Sequence, residues 1–185
     1  MARRLCRVIT RTCLCLVTRT GAPTAGAGQE SGDGRREVLL GFKKSGFGAG
    51  RWVGLGGHIE DGEEPAEAAA REVAEESGLK VATSALMHVA HLNFIFPSEP
   101  SWDQTADVFI TADFTGEPAE SDEVIPRWFA SDALPFDDMW DDARYWIPRV
   151  LAGHHVTADI TFAEDCATVS ATDPERGAPA GEAAG

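Results

Sequence analysis

Three glutamates, Glu72, Glu75 and Glu76, fall within two turns of one helix-forming segment, at spacings that bring them to one side. Like charges so placed repel, and the helix is weakened unless a cation lies among them. A hard divalent ion such as Mg²⁺ binds carboxylate oxygens together with water and phosphate oxygens, so phosphate chemistry is the natural use of such a cluster. Arg71 adjoins them and can pair with one carboxylate and hold it in place. The plainer alternative is a solvated acidic helix face, the usual reading of a run of charge.

The elements that must position these groups read as follows. Pro65 suits the first turn of a helix, "AEAAAREVAEES" is helix-forming throughout, and Gly78 is placed to end it. Val73 and Leu79 can anchor it to a core. Residues 8–18 and 38–42 read as strands, separated by a Gly- and Ala-rich stretch over 19–36 that reads as a flexible loop insertion. "KKSGFGAGRW" is a glycine-rich loop leading into a short strand. "ALMHVAHLNFIF", "QTADVFITADF", "PRWFA" and "HHVTADITF" read as further strands. "DDARYWIPRVLAG" reads as a second helix, with Pro148 implying a kink or a late start. Residues 1–162 form one expected domain, and residues 163–185, rich in Ala, Gly, Pro and acids, are expected to be a disordered tail.

The 185 residues are 43% hydrophobic, enough for one compact core, and carry a formal charge of −14. That charge argues against long DNA or RNA as a partner but leaves a small phosphorylated ligand open, since a metal can bridge acid to phosphate. Cys6, Cys13, Cys15 and Cys166 show no metal-site spacing; Cys13 and Cys15 share one strand face and read as small apolar packing. Arg7 and Arg11 interrupt any signal-peptide core, and no apolar run is long enough to span a membrane. A cytoplasmic monomer with reduced thiols is expected.

The spacing from Gly57 to Leu79 decides between the two readings of the glutamates. Five residues separate Gly57 from Glu63, seven more lead to Arg71-Glu72, and Val73, Glu75-Glu76, Gly78 and Leu79 follow. This resembles at every fixed position the Nudix box, G-x5-E-x7-R-E-U-x-E-E-x-G-U. "GFGAGRW", "ESDE", "WFA", "PFDDMW" and "YWIP" follow the order of the MutT-homologue branch, the oxidised purine nucleoside triphosphatases or 8-oxo-dGTP diphosphatases. The resemblance implies an α/β Nudix fold, a mixed β-sheet sandwiched between α-helices. It also implies Mg²⁺-dependent hydrolysis of a nucleotide to its monophosphate and pyrophosphate, with Mn²⁺ a possible substitute.

By the same resemblance the Gly56 carbonyl and the side chains of Glu72, Glu75 and Glu76 form a metal site, completed by Glu123 from a loop. Arg71 orients Glu72, and Glu63 braces the loop and helix. Either Glu76 or Glu123 takes the proton of the attacking water. Thr12, Lys43, Phe47, Phe94 and Trp140 match positions around the purine. Two positions depart from the family. Val53 replaces an asparagine that hydrogen-bonds the base, and Gln104 is the better placed polar substitute, because Asn93 points away if Phe94 faces the ligand. The family's Trp-Pro-Asp-Asp becomes Trp140-Asp141-Asp142-Ala143, so that either Asp142 alone, or Asp141 and Asp142 together, read the base. Hydrolysis of another nucleotide or diphosphate, and a non-catalytic ligand-sensing Nudix module, are the competing readings.

Overall fold

The computed structural model describes residues 9–21 and 35–173. Its frame is an eight-stranded mixed sheet in the order β3-β2-β1-β5-β4-β7-β8, with β6 paired to β2. Strand β1 (Thr10–Thr20) runs antiparallel to β2 (Arg36–Lys43) and parallel to β5 (Gln104–Thr111). β4 (Met87–Ile95) is antiparallel to β5 and parallel to β7 (Val156–Phe162). The two-residue β3 (Trp52–Val53) pairs with the end of β2, and β6 (Val124–Ala130) pairs along the whole of β2. β6 carries Pro126 opposite Gly41; β2 is the one strand it pairs with, so the missing N–H breaks no second ladder.

Each sheet face has its own core. Cys13, Cys15 and Val17 of β1 pack with Leu39, Leu55, Val124 and the helix residues Ala68, Ala69 and Val73. Leu14 and Leu16, one residue out of phase, point to the opposite face, where β4, β5 and β7 meet Trp146, Ile147 and Val150. Helix α1 (Pro65–Ser77) thus covers one face and α2 (Ala143–Leu151) the other, which gives the expected α/β/α sandwich. Burial pushes the Cys13 thiol up to about 11 and Cys15 to about 12, so both behave as small core side chains.

α1 begins at Pro65, and Glu67 reaches back to the Glu64 N–H at 3.2 Å. It ends at Gly78, whose φ of 73° closes the helix with an N–H to the Ala74 carbonyl at 2.9 Å. α2 starts late, at Ala143, and keeps Pro148 inside. No helix among the described residues is long and apolar enough to cross a membrane.

The expected tail needs correction. Residues 169–173 form β8 (Val169–Asp173), antiparallel to β7, after a turn in which Asp165 accepts from the Ala167 and Thr168 amides at 2.9 Å each. An edge strand needs few apolar residues, and β8 is mostly exposed, so its composition looks like that of a disordered segment. The loop boundaries also move inward, because β1 runs to Thr20 and β2 starts at Arg36; residues 22–34 and 174–185 lie outside the described residues. Ending the chain after Phe162 instead of after Asp173 should cost roughly 2 kcal/mol in lost pairing, seen as a melting temperature lower by about 4–8 °C. Equal melting of the two truncations would show that β8 adds nothing.

Candidate active site

Where α1 meets the loop after β3, two glycines permit a close approach. A side chain on Gly56 would meet the Cys13 carbonyl oxygen at 2.1 Å, and one on Gly57 would meet the Glu72 carboxylate at 2.5 Å. The Gly56 N–H donates to Glu76 Oε2 at 2.8 Å, and the Cys13 N–H donates to the Gly57 carbonyl at 2.9 Å. The box helix and strand β1 are therefore joined through this loop.

Arg71 is the hub of the acidic cluster. Its Nε and Nη2 donate to Glu63 at 2.9 Å each, its Nη1 to Glu72 at 2.8 Å and Glu75 at 3.1 Å, and its Nη2 also to the His58 carbonyl at 3.0 Å. Glu63 braces the loop as expected; its bond to Arg71 and the Glu60 amide hold its carboxyl down at about 2. Lys43 adds a second cation, with Nζ 3.6 Å from Glu76 Oε1 and 3.7 Å from Glu123 Oε2. Glu76 is only 2% exposed, whereas Glu123 is 65% exposed. Burial pushes the Glu76 carboxyl up to about 7, against the Gly56 amide and Lys43 and aided by Glu72 and Glu123.

Among the described residues, no group of His, Cys, Asp and Glu side chains is already gathered into a metal cage. The donors nevertheless fit a hard divalent cation. They are all oxygens, carboxylates apart from the Gly56 carbonyl, and Glu76 Oε1 is buried with no hydrogen-bond partner, a position a cation would satisfy.

A cavity of about 570 Å³ opens beside this cluster, and Lys43, Gly56, Gly57 and Glu123 form its border. Glu123 also faces the acidic hollow that holds Glu75 and Glu120, so it stands between the two spaces. Thr12, Phe47, Val53, Phe94, Gln104, Trp140 and Asp142 all lie in the cavity wall. The Thr12 hydroxyl donates to the Thr105 carbonyl at 2.9 Å. Gln104 is directly across from Phe94 in the β4–β5 ladder, so both face this side, while Asn93 points away and donates to Asp159 at 2.6 Å. Phe47 stacks on Trp140 with ring centroids 5.1 Å apart, and Arg51 lies over the same indole at 4.6 Å.

One expected residue is not in the wall. Asp141 turns outward: its Oδ2 accepts from the Val169 N–H at 2.8 Å and its Oδ1 forms an ion pair with Arg144 Nε at 2.9 Å. Of the two aspartates, only Asp142 faces the cavity, and Ala143 lines it where a second acid was in question. Asp142 accepts from the Trp146 Nε1–H at 2.8 Å, and burial pushes its carboxyl up to about 6.

Phe96, Trp102, Trp146, Phe162 and His58 also line the cavity and were not anticipated. Phe96 was legible, since it follows Phe94 by two in the segment that reads as a strand, and Trp146 follows Asp142 by four, one helical turn. Trp102 comes from a single 3₁₀ turn after Glu99, which has no periodicity to read.

The NUDIX domain model matches residues 22–150. The oxidized purine nucleoside triphosphate hydrolase of Mus musculus is 48% identical over 118 residues, 63% of this chain and 72% of that protein. Its namesake in Danio rerio is 46% identical over 114 residues, 62% of this chain and 71% of that protein. The crystal structure of the mutator MutT protein from Bacillus halodurans superposes with a TM-score of 0.71 at 20% identity, covering 89% of this chain and 97% of that one.

The pH dependence of stability tests the burial of Asp142. Burial holds its carboxyl at about 6, above the ordinary 3.8, so the folded chain holds this proton more tightly than the unfolded one. That stabilisation is complete below pH ~4 and is lost as pH rises to ~6, an amount of about 3 kcal/mol. Asp142→Asn, which cannot ionise, should therefore gain about 3 kcal/mol on the wild type between pH 4 and pH 7 in denaturant unfolding. A stability difference that stays flat with pH would contradict a buried, proton-holding Asp142.

Proposed function

The chain belongs to the NUDIX domain family, and on that premise we propose that it hydrolyses oxidised purine nucleoside triphosphates, such as 8-oxo-dGTP and 2-hydroxy-dATP, to the monophosphate and pyrophosphate. The observation that carries the reading is an aromatic-walled cavity of about 570 Å³ bordered by Glu123, Gly56 and Gly57 beside the box carboxylates. A purine needs flat apolar walls with a few polar groups to fix its edge, and Phe47, Phe94, Trp140 and Asp142 have that character. The names of the mouse and zebrafish relatives point the same way.

The roles follow from the chemistry of each group. Glu72, Glu75, Glu76, Glu123 and the Gly56 carbonyl would hold Mg²⁺, with Mn²⁺ a substitute. The metal, when bound, neutralises phosphate charge and lowers the pKa of a water. Arg71 fixes the direction of Glu72 by a bond of 2.8 Å. Glu76 is the stronger proposal for proton acceptor, because burial raises its carboxyl to about 7, whereas Glu123 is largely in solvent. The water's oxygen attacks the β-phosphorus, the bond from that phosphorus to the α–β bridging oxygen breaks, and the nucleoside monophosphate leaves with pyrophosphate as co-product.

A second reading keeps the chemistry and changes the base. Val53 in the cavity wall offers no donor or acceptor, and Ala143 leaves Asp142 as the one acid of its loop facing the base. Another nucleotide, or another diphosphate compound, is then the better substrate.

Pyrophosphate release over a panel of oxidised and ordinary nucleotides, with and without Mg²⁺ or Mn²⁺, separates these readings. The proposed one requires the highest kcat/KM on an oxidised purine triphosphate and none without metal. Glu76→Gln should lower turnover by ~10²–10⁴-fold while the fold survives; near-normal turnover would remove Glu76 from the reaction. Val53→Asn should change the ranking of 8-oxo-dGTP, 2-hydroxy-dATP, dGTP and dATP more than the maximal rate, since a hydrogen-bonding wall rejects mismatched edges more strongly than an apolar one. Parallel changes on all four would place position 53 away from the base.

A further inference from the structure

We propose that Asp141 is a positioning residue, whose carboxylate braces the β7–β8 hairpin against the loop carrying Trp140 and Asp142, so that the C-terminal hairpin sets the geometry of the base pocket. The proposal rests on the functional reading above for the ligand that this pocket takes.

The Asp141 carboxylate has partners on both sides. On the hairpin side, the turn after β7 is closed by the Ala163 N–H to the Thr168 carbonyl at 2.7 Å and the Cys166 N–H to the Ala163 carbonyl at 3.0 Å. Asp165 accepts from two amides of the same turn and from the Thr168 hydroxyl at 2.7 Å, which holds its carboxyl down at about 2. Val169 leaves this turn packed against the α2-side core and donates its N–H to Asp141 Oδ2 at 2.8 Å. On the helix side, Asp141 Oδ1 takes Arg144 Nε at 2.9 Å, and the same guanidinium reaches the Phe136 carbonyl at 3.5 Å and Asp137 at 3.5 Å. The Val169 amide bond has a charged acceptor, which makes it stronger than a neutral one.

The two neighbours of this carboxylate belong to the pocket. Trp140 and Asp142 lie in the cavity wall while Asp141 points outward. Three consecutive residues on alternating sides cannot move independently, so a shift of Asp141 moves the indole and the acid together. Phe162, the last residue of β7, packs its ring 5.9 Å from Trp140, so the hairpin touches the same indole from a second direction. Asp141 touches neither ligand nor metal and acts only through its neighbours.

Four variants of the full-length chain test the brace: Asp141→Ala, Asp141→Asn, Val169→Pro and the double variant Asp141→Ala/Val169→Pro. Asp141→Ala removes the acceptor, and Val169→Pro removes the amide donor at the first residue of an edge strand, where proline is tolerated. Each should raise KM for the best substrate roughly tenfold with kcat within about twofold, because a displaced binding group weakens ground and transition states alike. Asp141→Asn keeps an oxygen for Val169 and should recover most of the KM. The double variant should be no worse than the worse single one, in KM and in melting temperature. Unchanged KM in Asp141→Ala, or single effects that simply add, would overturn the brace. Equal KM for the Asn and Ala variants would also overturn it. A wild-type chain with no turnover on any oxidised purine overturns the functional reading instead, whatever the melting temperatures show; additive melting shifts overturn the brace on their own.

Discussion

The site depends on one steric permission, the missing side chains at Gly56 and Gly57. With a Cβ at Gly56 the loop would collide with the Cys13 carbonyl, and with one at Gly57 it would collide with Glu72. Because both are glycines, the carboxylate face of α1 lies directly against backbone that is itself joined to β1. Gly56 has φ of 156°, in the range that L side chains rarely adopt, so the conformation and the contact select the same residue. Glu76 is buried by this approach, and its burial generates the local electrostatics: one oxygen takes the Gly56 amide, and the other is left to Lys43 at ion-pair distance.

The sheet divides the remaining tasks between its faces. The face under α1 is lined by buried apolar side chains, and its acids stand at its rim around Arg71. The face under α2 carries a cavity whose aromatic wall is assembled from β4, the 3₁₀ turn before β5, β7 and the loop before α2. The strand period of two makes this division possible, because Leu14 and Cys13 are neighbours in sequence and belong to opposite cores. β2 and the loop after β3 connect the faces, since Lys43 and Gly57 border the cavity and also contact the acids. A substrate with a base at one end and phosphates at the other would cross this connection.

What could be read in the sequence follows from the range of the interaction involved. The box helix was legible because its spacing, its Pro65 start and its Gly78 stop are local, and the two-sided packing of β1 shows in simple alternation. The pair Asp141-Asp142 was not legible, because two identical side chains differ only in direction. That direction is fixed by Val169, 28 residues away, and by Trp146, one helical turn on. β8 was hidden for a related reason: Ser170, Ala171, Thr172 and Asp173 can form an edge strand once β7 offers a ladder, yet their composition alone argues for no structure. Trp102 enters the cavity through a turn that no periodic pattern marks.

The two buried acids show where this fold tolerates cost. Asp142 is relieved by an indole N–H and holds its proton to about pH 6, so near neutrality it is an ionised group with one fixed donor and little solvent. Glu76 is less relieved, for one of its oxygens has no hydrogen bond at all. Both belong to places where a ligand would change the balance, the first beside the cavity's aromatic wall and the second beneath the carboxylate cluster. Elsewhere among the described residues, the only other buried side-chain nitrogen or oxygen without a hydrogen-bond partner is the Trp128 Nε1, a neutral group. Incomplete polar satisfaction costs stability in the free chain, and a cation at Glu76 would recover it. The same groups that destabilise the empty fold therefore give it differential affinity for what it binds, and that links the steric permission at Gly56 to function.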